Sequence, residues 1–147
     1  MTPVSKMPGH LIRRLHQIST HIFMQRVKEA GFDLTSVQFA ALAALSDNPG
    51  IDQAGLADAV AKDRATIGAV VDRLEQKGLV ARTISERDKR ARVLSLTAEG
   101  AAILARLYPV VEDLQGQILH GLEKDEYRQF VKLAAKAAAA GGDFDQD

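Results

Sequence analysis

The stretch Asp63-Arg64-Ala65-Thr66-Ile67-Gly68-Ala69-Val70-Val71-Asp72-Arg73-Leu74-Glu75-Gln76-Lys77-Gly78 decides the fold. Ile67, Val70, Val71 and Leu74 recur at helical spacing and make one apolar stripe. Asp63 stands where an N-cap belongs, because its carboxylate can accept from the first unpaired amides of a helix. Gly78 stands where a helix ends, since glycine tolerates the left-handed backbone that closes one. The spacing therefore predicts a helix from Arg64 to Lys77. At about 100° per residue, its opposite face falls on Ala65, Ala69, Asp72 and Gln76, flanked by Thr66, Gly68 and Arg73. Small residues at the front of that face suit a helix seated in a DNA major groove about 12 Å wide. Thr66 and Gln76 carry groups that hydrogen-bond bases, and Arg64 and Arg73 are suited to phosphates or guanines. An ordinary solvated helix face has the same composition, so the neighbouring segments decide.

After Gly78 the periodicity changes. Leu79 to Ile84 and Val93 to Leu96 are rich in β-branched and apolar residues, and the polar run Ser85 to Ala91 joins them. This pattern predicts a hairpin with a charged tip. Before Asp63, Asp52 caps a short helix through about Ala61, with Ile51, Leu56 and Val60 pointing inward. Before that, Thr35 opens a helix with Gln38 three residues on, the capping-box pattern. Phe39, Leu42 and Leu45 form its core face, and Asn48-Pro49-Gly50 stops it. Two short helices, a tight turn and a basic hairpin describe a winged helix-turn-helix lobe, residues 35–97. Long helices flank it. One, from about Gly9 to Ala30, carries an apolar stripe of Leu11, Leu15, Ile18 and Ile22. Another, from about Ala98 to His120, is capped by Thr97 and should be kinked or divided at Pro109. The last, from about Glu123 to Ala140, carries Tyr127, Phe130, Val131 and Ala134. The expected class is mostly α with a small β-hairpin. Residues 1–34 and 98–141 form a helical dimerisation region, and 142–147 a disordered acidic tail.

Composition narrows the function. The 147 residues are 46% hydrophobic and 26% charged, as in ordinary soluble domains. The apolar run Val37–Leu45 is too short to cross a membrane, and no signal peptide opens the chain, so a cytoplasmic location with no membrane partner is expected. The absence of cysteine excludes disulfides, thiolate chemistry and Cys-based zinc sites. Net charge is zero, yet Lys62 to Arg92 holds nine basic and five acidic residues, a +4 segment on a chain that is otherwise −4. That is an electrostatic footprint for a phosphate backbone. His10, His16, His21 and His120 have no Gly-x-Ser-x-Gly elbow to serve, and His16 and His21 diverge on a helix. Neither an enzyme nor a metal site is expected, and no cofactor is implied. The rival reading is a winged-helix protein-interaction module without DNA binding, which a wing carrying Arg87, Lys89 and Arg90 disfavours.

Asp63-Arg64-Ala65-Thr66-Ile67-Gly68, Val71-Asp72-Arg73-Leu74-Glu75 and Gly78-Leu79-Val80 resemble the recognition helix of the MarR-type transcription regulators. Asp88-Lys89-Arg90 followed by Leu96-Thr97 and Glu99-Gly100 is similar to that family's wing motif, Asp-x-Arg and then Leu-Thr-x-x-Gly. The resemblance covers nearly the whole chain. It implies a homodimer interlocked through the first and last two helices, bound to a pseudo-palindromic operator on double-stranded DNA, most often as a repressor. It also implies that Arg90 enters the minor groove and that Asp88 holds Arg73 through an ion pair. The implied DNA-binding set is thus Arg64, Ala65, Thr66, Gly68, Ala69, Arg73, Gln76, Arg87, Asp88, Lys89 and Arg90. Family members respond to small anionic or aromatic effectors between the arms and the lobe. An aromatic acid or its coenzyme A thioester is the implied class here. In the first helix His10, Arg14, Gln17 and His21 fall at i, i+4, i+7 and i+11, one polar line beside the apolar stripe. Arg14 there can fork onto a carboxylate, although the same line also serves as the soluble edge of a dimer interface.

Overall fold

The computed structural model describes residues 1–60, 64–87 and 92–141. Its elements are α1 (Pro8–Glu29), α2 (Ser36–Asp47), α3 (Gln53–Val60), α4 (Arg64–Gln76), β1 (Val80–Ile84), β2 (Arg92–Leu96), α5 (Ala98–Ile118) and α6 (Lys124–Gly141). The mostly helical class with one hairpin is the expected one.

Local chemistry explains where these elements begin and end. At α2 the capping box forms in full. Gln38 N donates to Thr35 Oγ1 at 3.1 Å, and Thr35 N donates to Gln38 Oε1 at 3.0 Å. This box accounts for Gln38, a polar residue buried among the core side chains. Asp52 starts α3 by accepting from Gly55 N at 2.7 Å. Gly78 closes α4 at φ +77°, a backbone that side chains with a Cβ adopt at a cost, and Leu79 N then returns to Leu74 O at 3.0 Å. The expected Asp63 cap and the acidic tail lie outside the described residues.

β1 and β2 pair antiparallel, with Val80 opposite Leu96 and Ile84 opposite Arg92. The turn before α3 also joins this hairpin, through a bridge between Asp52 and Val93 and a bond from Leu94 N to Ile51 O at 2.9 Å. Thr97 locks the hairpin to α5. Its hydroxyl donates to Gly78 O at 2.7 Å and accepts from Gly100 N at 3.0 Å. Gly100 is required at this seam, because a Cβ there would lie 2.1 Å from Leu79 O.

One core runs through the lobe. Ala41, Leu42, Leu56, Ala57, Ile67, Val71, Leu74 and Leu94 are fully buried, and Phe23, Val27, Leu104, Leu107 and Leu114 extend the cluster into α1 and α5. The apolar stripe of α1, expected in the dimerisation region, is not the helix's buried face within the chain. Leu11 is exposed, and Leu15, Ile18 and Ile22 are half-buried, while Phe23 and Val27 make the seal. Only the C-terminal half of α1 reaches the lobe, where Phe23 meets Phe39 with ring centroids 6.3 Å apart. Of the two effects expected of Pro109, a kink or a division, the division does not occur, since α5 runs through it as one helix. Leu104, Leu107, Val111 and Leu114 hold the helix to the core on both sides of the missing N–H. Val70 and Val60 are half-buried rather than core residues.

Candidate nucleic-acid interface

Helix α4 sorts its residues as the sequence requires. Ile67, Val71 and Leu74 face the core completely, while Ala65, Thr66, Ala69, Asp72, Arg73 and Gln76 are exposed along the other side. Arg73 Nη1 donates to Gln76 Oε1 at 3.4 Å, so these two side chains form a local pair on that outer face. Gly68 is different. It is half-buried, and a Cβ built there would sit 3.3 Å from Gln53 Nε2 on α3. Gly68 therefore leaves room for the Gln53 side chain of α3 against α4.

The hairpin follows α4 directly, so wing and helix share one side of the lobe through the tight turn at Gly78. Arg87 is exposed near the wing tip, where its N–H donates to Ser85 Oγ at 3.2 Å. The Arg64 side chain and the residues Asp88, Lys89 and Arg90 lie outside what the structure describes, and with them the expected Asp88–Arg73 pair.

Among the described residues, two cations of the +4 segment are held by carboxylates within the protein. Lys77 Nζ donates to Asp33 O at 2.6 Å and approaches Asp33 Oδ2 at 3.3 Å, tying the end of α4 to the turn before α2. Arg82 reaches from β1 to α4, with Nη1 2.7 Å from Asp72 Oδ1 and 3.3 Å from Glu75 Oε1. Its Nη2 donates to Gln53 Oε1 at 3.2 Å. Counting charges along the chain cannot separate such internal ties from free cations. An arginine that opens a strand's polar face two residues after Val80, with carboxylates at i and i+3 on the preceding helix, was the available signal.

The polar line on α1 is intact as a surface feature. Arg14, Gln17 and His21 are exposed and His10 is half-buried. None of the four lines a cavity of about 440 Å³ that lies between α1 and the turn into α2. Phe23, Met24, Val27, Phe32 and Leu34 make its apolar wall, with Thr20, Lys28 and Ser36 among its polar residues. The turn is braced from the far side by Arg106 of α5, whose guanidinium lies 5.2 Å from the Phe32 ring centroid. A second groove, about 350 Å³, runs between the N-terminal half of α1 and the ends of α5 and α6, with Leu15, His16, Gln115, Ile118, Tyr127 and Phe130 among its walls. No group of three or more metal-ligating side chains occurs among the described residues, and no helix among them is long and apolar enough to cross a membrane.

Three helices, a short bridge and a two-stranded wing, flanked by long helices, define a winged helix-turn-helix protein. Residues 34–91 match the sequence profile of the MarR family. The transcriptional regulator HosA of Escherichia coli O157:H7 is 36% identical over 127 residues, 86% of this chain and 91% of HosA. The transcriptional repressor NicR of Pseudomonas putida is 36% identical over 133 residues, 90% of this chain and 83% of NicR. Among solved structures, Bordetella bronchiseptica BpsR, whose DNA binding is regulated by 6-hydroxynicotinic acid, superposes with a TM-score of 0.87 at 30% identity, covering 94% of this chain and 97% of that one. The chain belongs to the MarR family of transcriptional regulators.

Proposed function

We propose that this protein is a sequence-specific DNA-binding repressor that acts as a homodimer on a pseudo-palindromic operator and is released by a small aromatic acid or its thioester. One observation carries the DNA reading. Helix α4 buries Ile67, Val71 and Leu74 completely and turns a face of small and hydrogen-bonding residues outward, directly beside the hairpin. A helix so presented enters a major groove without steric conflict, and a second copy places its own one helical turn away. The likeness to NicR and BpsR supports repression and an aromatic-acid effector.

The deciding experiment is a binding titration on the DNA upstream of the protein's own gene. Tight, salt-sensitive binding is expected, and Arg90→Ala should weaken it by about 1–3 kcal/mol with the melting curve unchanged. A parent protein that ignores DNA but captures a protein partner through α4 would return the lobe to the interaction-module reading. For the effector, Arg14 is the proposed carboxylate partner, with the exposed line on α1 as its setting. Arg14→Ala should remove the response of the protein–DNA complex to aromatic acids while leaving binding without them intact. An unchanged midpoint for release would move the effector elsewhere.

A further inference from the structure

We propose that Arg82 is a positioning residue of the DNA interface: it pairs with two carboxylates on the recognition helix, offsetting one of their two negative charges, and fixes that helix against the wing. The role presupposes the DNA reading above and goes beyond it, because Arg82 reaches no base or phosphate in doing so. Asp72 belongs to the outward face of α4, and Glu75 lies one turn further along. Carboxylates on a helix that meets a phosphate backbone are repelled by it. Here both are matched from behind. Arg82 lies 2.7 Å from Asp72 Oδ1 and 3.3 Å from Glu75 Oε1, and its side chain is 21% exposed against 60% and 45% for its partners. The guanidinium is thus held under the carboxylates, and reaching a phosphate would mean abandoning them.

The same fork ties three elements. Nη1 holds α4, Nη2 donates to Gln53 Oε1 on α3 at 3.2 Å, and the backbone belongs to β1. The Gln53 side chain also borders Gly68 of α4. Arg82 therefore braces the angle between helix-turn-helix and wing at the point where both must fit one duplex. A lysine keeps the charge but has no planar fork to serve acceptors on two helices at once.

The experiment is a mutant cycle on the full-length protein, with affinity for the upstream duplex read by fluorescence anisotropy and folding by thermal melting. Arg82→Ala should bind about tenfold more weakly, within the coupling found between contacting groups. Adding Asp72→Asn and Glu75→Gln to that variant should recover the electrostatic part of the loss, because no carboxylate then faces the backbone unpaired, and leave the part that comes from the lost tie to Gln53. If Arg82→Ala does not fold, Arg82→Lys is read the same way, with a smaller loss that the carboxylate changes again relieve. Equal binding by variant and parent overturns the role. So does an unrelieved loss with a salt slope shallower by about 0.9, which makes Arg82 itself a phosphate contact. A parent that binds no duplex overturns the DNA reading and this role together, whereas a parent that binds isolates the role.

Discussion

Helices α4 and α6 are both amphipathic, and the chain treats them in opposite ways. The 13 residues of α4 include three apolar side chains with no solvent exposure. The 18 residues of α6 include none that is buried, and Phe130, Val131 and Leu133 stand 36%, 48% and 57% exposed. A stripe at helical spacing says that a helix needs a partner surface. It does not say which chain supplies that surface. For α4 the partners are α2, α3 and the hairpin, all within the lobe. For α6, and for the N-terminal half of α1 with exposed Leu11 and Ile12, the chain supplies only the open groove above α5. The proposed second copy answers this, and an interface of at least about 2,000 Å² is typical when such a dimer is obligate.

The sharpest way to break the contrast is to damage each helix in turn. Leu74→Ala opens a hole in a fully closed core and should cost about 2–5 kcal/mol of unfolding free energy. Denaturant titration should show that loss at every protein concentration. Phe130→Ser with Val131→Ser should act otherwise. Because both side chains keep a third to a half of their surface open within the chain, the pair should cost less folding free energy than Leu74→Ala and instead raise the dimer dissociation constant by one to two powers of ten, about 1.4–2.7 kcal/mol. Sedimentation across a dilution series measures this, and the melting temperature should become more concentration-dependent. If the α6 variant melts early at all concentrations and sediments as the parent does, α6 is packed within its own subunit and the contrast fails.

The lobe was legible because its signals are local. Thr35 with Gln38, Asp52 with Gly55 and Gly78 after Leu74 each act over a few residues, and the structure carries out all three. Periodicity also found the buried face of α4, which has core on one side only. In α1 the Leu11 to Ile22 stripe reads for the dimerisation region, and the contact with the lobe at Phe23 and Val27 goes unread. A stripe continuous over the whole helix serves the proposed partner copy at one end and the lobe at the other, and sequence does not mark the handover. The site was legible as a face but not as a network. Gly68 reads as a small groove-facing residue and turns out to admit Gln53. Lys77 and Arg82 read as footprint cations and are held by Asp33, Asp72 and Glu75. These contacts join residues 7 to 44 positions apart or depend on which side of a strand faces a helix. The polar line on α1 has a different standing, since within one chain it borders solvent and not the large cavity.

The smallest expected effect concerns the polar tie inside the arms. Arg26 on α1 meets Asp113 on α5 at 2.8 Å, a short and well-directed pair, but the Asp113 side chain is 70% exposed. Water already solvates that carboxylate, so the pair gains little over separated ions, and ordering the arginine offsets part of the gain. Beside it, Phe23 and Val27 on α1 and Leu107, Val111 and Leu114 on α5 belong to the buried cluster. The α1–α5 contact should therefore be apolar in its energetics, with the ion pair fixing register. A double-mutant cycle with Arg26→Ala and Asp113→Ala should return a coupling below about 1 kcal/mol, falling further at high salt. Phe23→Ala, by contrast, should cost about 3–5 kcal/mol. A salt-insensitive coupling above 2 kcal/mol would mean that Asp113 is shielded in the assembled protein. That result would place the partner subunit over this end of α5 and extend the proposed interface beyond the α6 groove.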